Sequence, residues 1–219
     1  MQEVANWVTI DGDISLKTAE RRGRGDVSRY QEEEIRIATR HCKQTRVAID
    51  VGAHLGIISY QLSKIFDQVE SFEINPAIFS CLEENVSRHC NSNVNLHFTG
   101  LGDKHNNVDI ITPPKTLGTY IKPDGTGNCK IVPLDDFEFT NVDFIKIDVE
   151  GFEANVIKGA MKTIERCRPV ILYERKDHGE RFGYSNDYPL LMLRHLDYLK
   201  YEDIGTQRKN AVIGPKKKL

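Results

Sequence analysis

The chain has 219 residues, of which 39% are hydrophobic and 28% are charged, and its formal net charge is −2. This length suits one domain with a sizeable core, and a charge so close to neutral gives no reason to expect nucleic acid or an anionic membrane as a partner. The five cysteines show no paired spacing and predict neither a disulfide framework nor a zinc site. Since a signal-peptide pattern and a membrane-length apolar run are both missing, the sequence favours a cytoplasmic protein with no membrane span.

Apolar runs and turn residues predict a polar lead-in at 1–30, with short strands at 7–10 and 14–16, followed by alternating strands and helices. The later elements are expected, in chain order, at 31–40 (helix), 46–51 (strand), 57–65 (helix), 69–72 (strand), from Asn75-Pro76 onward (helix), 94–99 (strand), 109–112 with 130–132 (hairpin), 143–148 (strand), 153–166 (helix), 169–173 (strand), 188–199 (helix), 201–204 and 211–213 (strands).

Such alternation is typical of a doubly wound α/β fold, in which a mostly parallel sheet carries helices on both faces and binds ligands at the carboxyl ends of its strands. We expect the main domain at 31–219, with an insertion at about 104–134 that could form a substrate wall. The lead-in is expected to pack on this domain.

A glycine-rich loop follows the first strand of the predicted sheet. Gly52 and Gly56 allow a tight turn before a helix, but Asp50 stands where a dinucleotide-binding loop would have its first glycine. A carboxylate there would repel a pyrophosphate and would suit a cofactor with a cationic amine. Glu73 and Asp103 follow the next two strands, where acids can accept hydrogen bonds from ribose hydroxyls and from an adenine amine.

S-adenosylmethionine, a nucleoside with a cationic amino-acid tail, fits this pattern of acids. The alternative is that the glycines only form turns and that the acids are solvated. The residues predicted to bind the cofactor are Asp50, Gly52, Ala53, His54, Leu55, Gly56, Glu73, Ile74, Asn75, Gly102, Asp103 and Asp148.

The segment Ile145–Glu153 reads IKIDVEGFE, an apolar run that ends in carboxylates around one glycine. In this segment the chain resembles the FkbM-type methyltransferases of the class I S-adenosylmethionine-dependent group. Further segments that carry the resemblance are 49–56, 72–76, 132–136, 144–160, 168–174 and 210–216. The resemblance covers about residues 30–216. It implies a seven-stranded Rossmann-like sheet with an antiparallel last strand, and methylation of a hydroxyl on a sugar, a glycan or a secondary metabolite. His54 stands where the family more often has asparagine, a change that preserves polarity.

A hydroxyl acceptor must lose its proton, so a base is expected within hydrogen-bond reach of it. The predicted catalytic residues are Asp148 and Glu150, by their position at the strand end, and His178, whose ordinary pKa lies near neutral. Asp148 could instead line the cofactor pocket and favour the sulfonium, and His178 could be a surface residue. Glu174 could orient the acceptor or cap the end of the sheet.

The carboxylates of Asp148, Glu150 and Glu153 could also collect Mg²⁺ or Ca²⁺. The competing explanation is that Glu150 and Glu153 complement the dipole of the helix that begins there, and we prefer this structural role for Glu153. We therefore predict no metal site and keep a divalent cation as the alternative.

Together these observations predict an S-adenosylmethionine-dependent O-methyltransferase that acts on a small-molecule or glycan acceptor. The sequence does not predict an oligomeric state. The first rival is an N- or carboxyl-methyltransferase, because the donor site does not specify the acceptor atom. Two further rivals are a non-catalytic S-adenosylmethionine-binding domain and a nicotinamide-dependent oxidoreductase, the latter disfavoured by Asp50.

Overall fold

A computed structural model of the chain describes residues 1–113, 116, 118–123 and 126–216. Parts of the predicted insertion (114, 115, 117, 124 and 125) and the end of the predicted main domain (217–219) lie outside the described residues. Among the described residues, no helix combines the length and the apolar character needed to cross a membrane.

The secondary structure alternates as expected over most of the chain. The strands are β1 (Gln2–Val4), β2 (Trp7–Thr9), β3 (Val47–Val51), β4 (Gln68–Glu73), β5 (Val94–Phe98), β6 (Gly100–Leu101), β7 (Asn106–Val108), β8 (Ile110–Ile111), β9 (Tyr120–Ile121), β10 (Cys129–Val132), β11 (Val142–Ile147), β12 (Val170–Glu174), β13 (Tyr198–Ile204) and β14 (Asn210–Pro215). The α-helices are α1 (Ser15–Arg22), α2 (Glu32–Thr39), α3 (Ile57–Ser63), α4 (Pro76–His89), α5 (Glu153–Lys158), α6 (Met161–Cys167) and α7 (Tyr188–Met192).

The central sheet has seven strands in the order β13-β14-β12-β11-β3-β4-β5. Its strands β12, β11, β3, β4 and β5 are parallel, and β14 runs antiparallel to both β12 and β13. This sheet confirms the predicted fold class, a mostly parallel seven-stranded α/β sheet with an antiparallel last strand. The carboxyl ends of β3, β4, β11 and β12 therefore meet at one edge, where an open α/β sheet binds its ligands.

Strand β11 is buried on both faces. Its successive residues Phe144 and Ile145 belong to two different apolar clusters of buried side chains, as expected when neighbouring side chains of a strand point to opposite faces. Burial on both sides explains why apolar residues occupy four of the strand's six positions. Asp143, near the start of the strand, pairs with Arg46, and Asp148 follows where the strand leaves the sheet.

Residues of the predicted lead-in pack against the loop after β3 and against helices α3 and α4. Trp7 and Leu16 are buried and share an apolar cluster with Leu55. The strand expected at 14–16 is wrong, because helix α1 covers this segment and buries Leu16 and Ala19 at a helical spacing of three residues. A run of three residues is too short to distinguish a helical period from a strand period.

Two predicted helices are shorter in the structure. The helix expected at 153–166 is broken between α5 and α6, because the Gly159 carbonyl leaves the helical pattern and accepts a hydrogen bond from the Asp135 N–H (2.9 Å). The helix expected at 188–199 ends after α7. A short 3₁₀ turn then leads to Asp197, whose left-handed conformation (φ 54°) turns the chain into β13.

The hairpin expected between 109–112 and 130–132 does not form. Strand β10 instead pairs antiparallel with β7 and parallel with β6, and β8 pairs with β9. Strands of two to four residues carry too little periodicity to specify their partners. The short strands supply Gly100, Leu101, Tyr120 and Ile121 to the wall of a cleft at the carboxyl edge of the main sheet.

Candidate functional site

A cleft, here called the inner cleft, opens at the carboxyl ends of β3, β4 and β11. Its empty volume, counted out to the open mouth, is about 1040 Å³. The predicted site residues that line it are Gly52, Ala53, His54, Leu55, Glu73, Ile74, Asp148 and Glu150. The predicted residues that do not line it are Asp50, Gly56, Asn75, Gly102, Asp103 and His178.

Gly52 lets the loop after β3 pass directly over the end of β11. Its φ of +77° lies in the left-handed region that favours glycine, and a Cβ there would lie 2.1 Å from the Asp148 carbonyl oxygen. The N–H groups of Gly52 and Ala53 both donate to the Phe72 carbonyl, at 3.0 and 2.9 Å. The backbone of the glycine loop therefore touches the backbone of the acidic strand end.

This contact predicts a large loss of stability when Gly52 is replaced by alanine. Gly183 is the matched control, because it has the same φ of +77° with no atom within 4 Å of where its Cβ would lie. Gly183→Ala should lower the free energy of unfolding by about 1 kcal/mol, the cost of the left-handed conformation alone. Gly52→Ala should lower it by about 3 kcal/mol or more, because overpacking adds to that cost. Equal losses in urea denaturation would contradict this account.

Glu73 ends β4 with a buried carboxylate on the wall of the inner cleft. Its side chain is 7% exposed, and its oxygens accept hydrogen bonds from the N–H groups of His54 (2.9 Å) and Asn75 (2.8 Å). Burial raises the pKa of Glu73 above its ordinary value, although these hydrogen bonds oppose the shift. A carboxylate offers about four acceptor positions, so Glu73 keeps acceptor capacity for hydroxyl groups of a ligand.

His54 lies on the same wall in the left-handed conformation (φ 51°), which histidine and asparagine adopt more readily than most residues. Its Nε2 lies 3.0 Å from the Thr116 hydroxyl. Burial lowers the pKa of His54 to about 4, so the imidazole is neutral at neutral pH. The side chain thus joins the glycine loop to the segment that contains Thr116 and adds no charge to the cleft.

Asp50 does not line the inner cleft, and its predicted contact with a cofactor amine stays a prediction. It is fully buried, its Oδ2 accepts a hydrogen bond from the Ser59 hydroxyl (2.8 Å), and its Oδ1 lies 3.3 Å from the Lys146 Nζ. Lys146 also donates to the Gly52 carbonyl (3.1 Å) and lines the inner cleft. The ion pair of Asp50 therefore supports the loop from below.

The charge of Lys146 is maintained by its neighbours. Burial lowers the pKa of this lysine, but the carboxylates of Asp50 and Asp148 outweigh that effect and raise the pKa above its ordinary value. The Lys146 Nζ lies 3.9 Å from Asp148 Oδ2. One ammonium group thus connects the glycine loop with the acidic strand end.

The other predicted residues outside the inner cleft have identifiable structural positions. The Gly102 N–H donates to the Val132 carbonyl (3.0 Å) and so extends the pairing of β6 with β10, and Asp103 is exposed beyond it. Asn75 caps helix α4 with its side-chain oxygen, and Gly56 is the left-handed residue before α3. Asp103 is therefore not among the described residues of the inner cleft, and its adenine contact stays a prediction.

The chain turns sharply after β11, at Glu150 (φ 54°) and Gly151 (φ 110°). Glu153 holds this turn, because its Oε1 accepts hydrogen bonds from the N–H groups of Val149 (3.3 Å) and Gly151 (3.0 Å). The geometry gives Glu153 a structural role. Asp148 and Glu150 present their carboxylates to the inner cleft.

The buried carboxyl of Glu153 predicts a pH dependence of stability. Burial raises its pKa from 4.5 to about 7, so the native state binds the proton more tightly than the unfolded state, and stability is highest at low pH and falls as pH rises through 7. At about 1.4 kcal/mol per pKa unit, the loss from this group should approach 3 kcal/mol. Glu153→Gln keeps the size and the acceptor, so urea denaturation between about pH 4 and pH 8 should show a flatter profile for this variant. Parallel profiles would contradict the assignment.

Glu174, at the end of β12, lies beside Lys176 and the acidic turn. The Lys176 Nζ is 2.5 Å from Glu174 Oε1 and 3.4 Å from Glu150 Oε1, and His178 Nδ1 is 2.6 Å from Glu150 Oε2. Burial and the charges of Asp148 and Glu150 raise the pKa of Glu174 to about 9. The structure thus brings His178 to Glu150, although His178 lies outside the inner cleft.

A second, wider cleft, here called the outer cleft, adjoins the first and has an empty volume of about 2770 Å³. Both Glu174 and His178 line it. The residues common to both walls are Tyr30, Gln31, Gly118, Asp148 and Glu150. The two clefts therefore meet at the carboxylates of Asp148 and Glu150.

The wall residues that were not predicted as site residues include Tyr30, Lys146 and Lys176. Tyr30, at the end of the lead-in, lines both clefts, Lys146 lines the inner one and Lys176 the outer one. Lys146 carried a signal, since a lysine inside a buried strand needs a charged partner. Tyr30 and Lys176 lie in irregular segments, where no periodicity indicates which side chains converge.

Comparison with known proteins adds to this geometry. Residues 50–201 match the model of the methyltransferase FkbM domain. The hexuronic acid methyltransferase AglP of Haloferax volcanii is 27% identical over 150 residues, which cover 66% of this chain and 62% of that protein. This chain therefore spans less than two thirds of that relative.

Solved structures show the same fold. The methyltransferase FkbM from Methylobacillus flagellatus superposes with a TM-score of 0.56 at 19% identity, over 78% of this chain and 43% of that one. A putative methyltransferase from Streptococcus mutans, solved in complex with S-adenosylhomocysteine, superposes with a TM-score of 0.53 at 12% identity, over 84% of this chain and 96% of that one.

Proposed function

The chain belongs to the FkbM methyltransferase family, and from this premise we propose that it transfers a methyl group from S-adenosylmethionine in the inner cleft to a hydroxyl of a sugar, glycan or similar metabolite in the outer cleft. The observation that carries the proposal is the meeting of the two clefts at Asp148 and Glu150. Methyl transfer requires donor and acceptor to face each other in line, and this junction is where two ligands would meet.

The inner cleft has groups that suit the donor. Glu73 keeps acceptor capacity for ribose hydroxyls, and the wall includes the apolar side chains of Ile74, Ile78 and Phe152 beside which a base can lie. S-adenosylmethionine supplies a methyl group activated by a positively charged sulfur. The carboxylate of Asp148, on the wall of both clefts, favours a positive charge at that point.

The junction also has groups that can remove a proton from an acceptor hydroxyl. Asp148 is the first candidate, because its side chain is 31% exposed at the junction and lies 3.9 Å from the Lys146 ammonium. Glu150 is the second, and His178 reaches the site through its contact with Glu150. Each can accept a hydroxyl proton as the oxygen attacks.

The acceptor class is supported by one relative. The curated relative AglP is described as a hexuronic acid methyltransferase, and a hexuronic acid carries both hydroxyls and a carboxyl group. A second candidate function for this chain is therefore methylation of a sugar carboxylate. The outer cleft is the proposed saccharide site in either case.

Calorimetry and labelled methyl transfer test the proposal. S-adenosylmethionine and S-adenosylhomocysteine should both bind, and label from S-adenosylmethionine should enter one member of a panel of neutral sugars, uronic acids and amines. Label that survives mild alkali and acid indicates an ether, whereas release by alkali indicates a methyl ester. Label in the amine fraction would replace the proposed acceptor by a nitrogen, and binding of NAD without S-adenosylmethionine would overturn the proposal.

Binding without transfer to any acceptor would be the result for a non-catalytic S-adenosylmethionine-binding domain. The informative measurement is then slow transfer of the methyl group to water, which can occupy the position of the acceptor hydroxyl at the junction. Donor turnover that disappears in Asp148→Asn would still locate the reaction at the junction. A donor that stays intact with wild-type protein and every acceptor tested would contradict the enzymatic proposal.

A further inference from the structure

Glu150, Glu174 and His178 converge on the outer cleft, and each offers a ligand atom within 4.8 Å of those of the other two. Two carboxylate oxygens and an imidazole nitrogen suit a divalent cation such as Mn²⁺, and these separations are within reach of metal–ligand bonds of about 2.0–2.6 Å. We propose that these three residues form a binding site for one divalent cation.

Lys176 leaves room for the cation. Its Nζ contacts Oε1 of Glu174 (2.5 Å) and Oε1 of Glu150 (3.4 Å), so it contacts neither Oε2 atom, and Glu150 Oε2 faces His178 instead. Glu174 is only 10% exposed, and its buried Oε2 has no hydrogen-bond partner among the described residues. A buried acceptor without a partner costs about 1–3 kcal/mol, and a cation would satisfy it.

The local charge also favours a cation. The network of ion pairs at the junction contains four carboxylates, and the two ammonium groups that contact them are those of Lys146 and Lys176. The carboxylates are those of Asp50, Asp148, Glu150 and Glu174. When all four carboxylates are ionised, they exceed the two ammonium groups by two negative charges, which one divalent cation offsets.

The third ligand is held in place by close packing. A Cβ at Gly151 would lie 2.4 Å from the His178 carbonyl oxygen, so the backbone of His178 rests directly on the acidic turn. Asn186 secures the same loop through a hydrogen bond to Asp177 Oδ1 (2.6 Å). His178 Nδ1 lies 2.6 Å from Glu150 Oε2. A ligand set positioned in this way needs little rearrangement to bind a metal.

The proposed cation site differs from the alternative considered from the sequence, which was a cation bound by Asp148, Glu150 and Glu153. Glu153 is not part of it, because its carboxylate holds the turn through backbone hydrogen bonds, and Glu174 comes from a separate strand. Three protein ligands leave open positions where an acceptor hydroxyl could bind and become more acidic. Asp148 would then take the proton. This role depends on the proposed methyl transfer, whereas binding of the cation does not.

Titration of the full chain with Mn²⁺, followed by calorimetry and by the electron paramagnetic resonance signal of the free ion, tests the site without an activity measurement. Wild-type protein should bind one Mn²⁺ per chain. Glu174→Gln and His178→Ala should each weaken binding at least about 10-fold, since the first removes the charge of one ligand and the second removes a ligand atom. Lys176→Met should tighten it, because a competing positive charge is removed. Glu180→Gln, an exposed acid of the same loop, should bind as wild type does.

Affinity for S-adenosylhomocysteine serves as the folding control, and it should stay within about threefold of wild type in every variant. No stoichiometric Mn²⁺ binding at millimolar metal would overturn the inference. Binding that is equally strong in Glu174→Gln and His178→Ala would overturn it as well. Failure of wild-type protein to bind the nucleoside, with Mn²⁺ binding intact, would instead contradict the proposed function and leave the cation site standing.

Discussion

Replacing Glu73 with alanine is expected to weaken the binding of S-adenosylmethionine by about 100-fold or more. Hydrogen bonds to a charged acceptor contribute about 1.5–3 kcal/mol each, and the loss of two from the ribose would exceed the roughly 2.7 kcal/mol that corresponds to 100-fold. The substitution also removes the acceptor of the His54 and Asn75 N–H groups, which loosens the loop around the donor. Isothermal titration calorimetry with S-adenosylmethionine and S-adenosylhomocysteine measures the effect.

Glu70 provides the matched control on the same strand. It is also buried (2% exposed) and its Oε2 lies 2.6 Å from His97 Nε2, but it does not line the inner cleft. Glu70→Gln should change donor affinity by less than about threefold, even if it lowers the stability of the fold. If folded Glu73→Ala protein bound the donor as tightly as Glu70→Gln does, the assignment of Glu73 to the ribose would be wrong.

Asp148→Asn is expected to lower turnover by about 100-fold to 10,000-fold, the usual contribution of a positioned general base. The amide keeps the shape of the side chain and cannot accept the hydroxyl proton. Glu150→Gln should also lower turnover, because it alters the same junction and the contact with His178. Single-turnover methyl transfer at saturating donor, followed across pH, measures both effects.

The two roles that the sequence left open for Asp148 give different results. A base that acts on the acceptor predicts slow turnover with nearly unchanged affinity for S-adenosylhomocysteine. A carboxylate that only favours the sulfonium predicts weaker binding of S-adenosylmethionine relative to S-adenosylhomocysteine, with turnover restored at saturating donor. Asp67 is an exposed acid that lines neither cleft, so Asp67→Asn should match wild type in both measurements.

The sheet and the strand-end positions were predictable because they depend on local patterns. Glu73 and Asp148 each follow a buried apolar strand directly, and a strand end in a parallel sheet can lie only at the carboxyl edge. Gly52 was predictable in the same way, since a glycine after such a strand marks a tight turn. The helix break at Gly159 was not, because the partner of its carbonyl, Asp135, is 24 positions earlier in the chain.

The orientation of individual acids was harder to predict. Asp50 stands within a strand that is covered on both faces, so the alternation that would show which way its side chain points is missing. The structure places it with Ser59 and Lys146. Tyr30 and Lys176 reach the clefts from irregular segments, and only the packing of the lead-in and of the loop after β12 brings them there.

The order of the strands has a consequence for how the chain acquires its structure. In the described sheet, β13 pairs with β14 alone, and β14 fills the position between β13 and β12. During synthesis β13 leaves the ribosome before β14, its neighbour in the sheet, so β13 can pair only after β14 has also emerged. The edge of β12, which carries Glu174 at its end, stays open for that interval and exposes unpaired backbone groups. The last stage of folding should therefore coincide with the completion of the outer cleft. The strand most exposed to mispairing, β12, lies next to the proposed cation site.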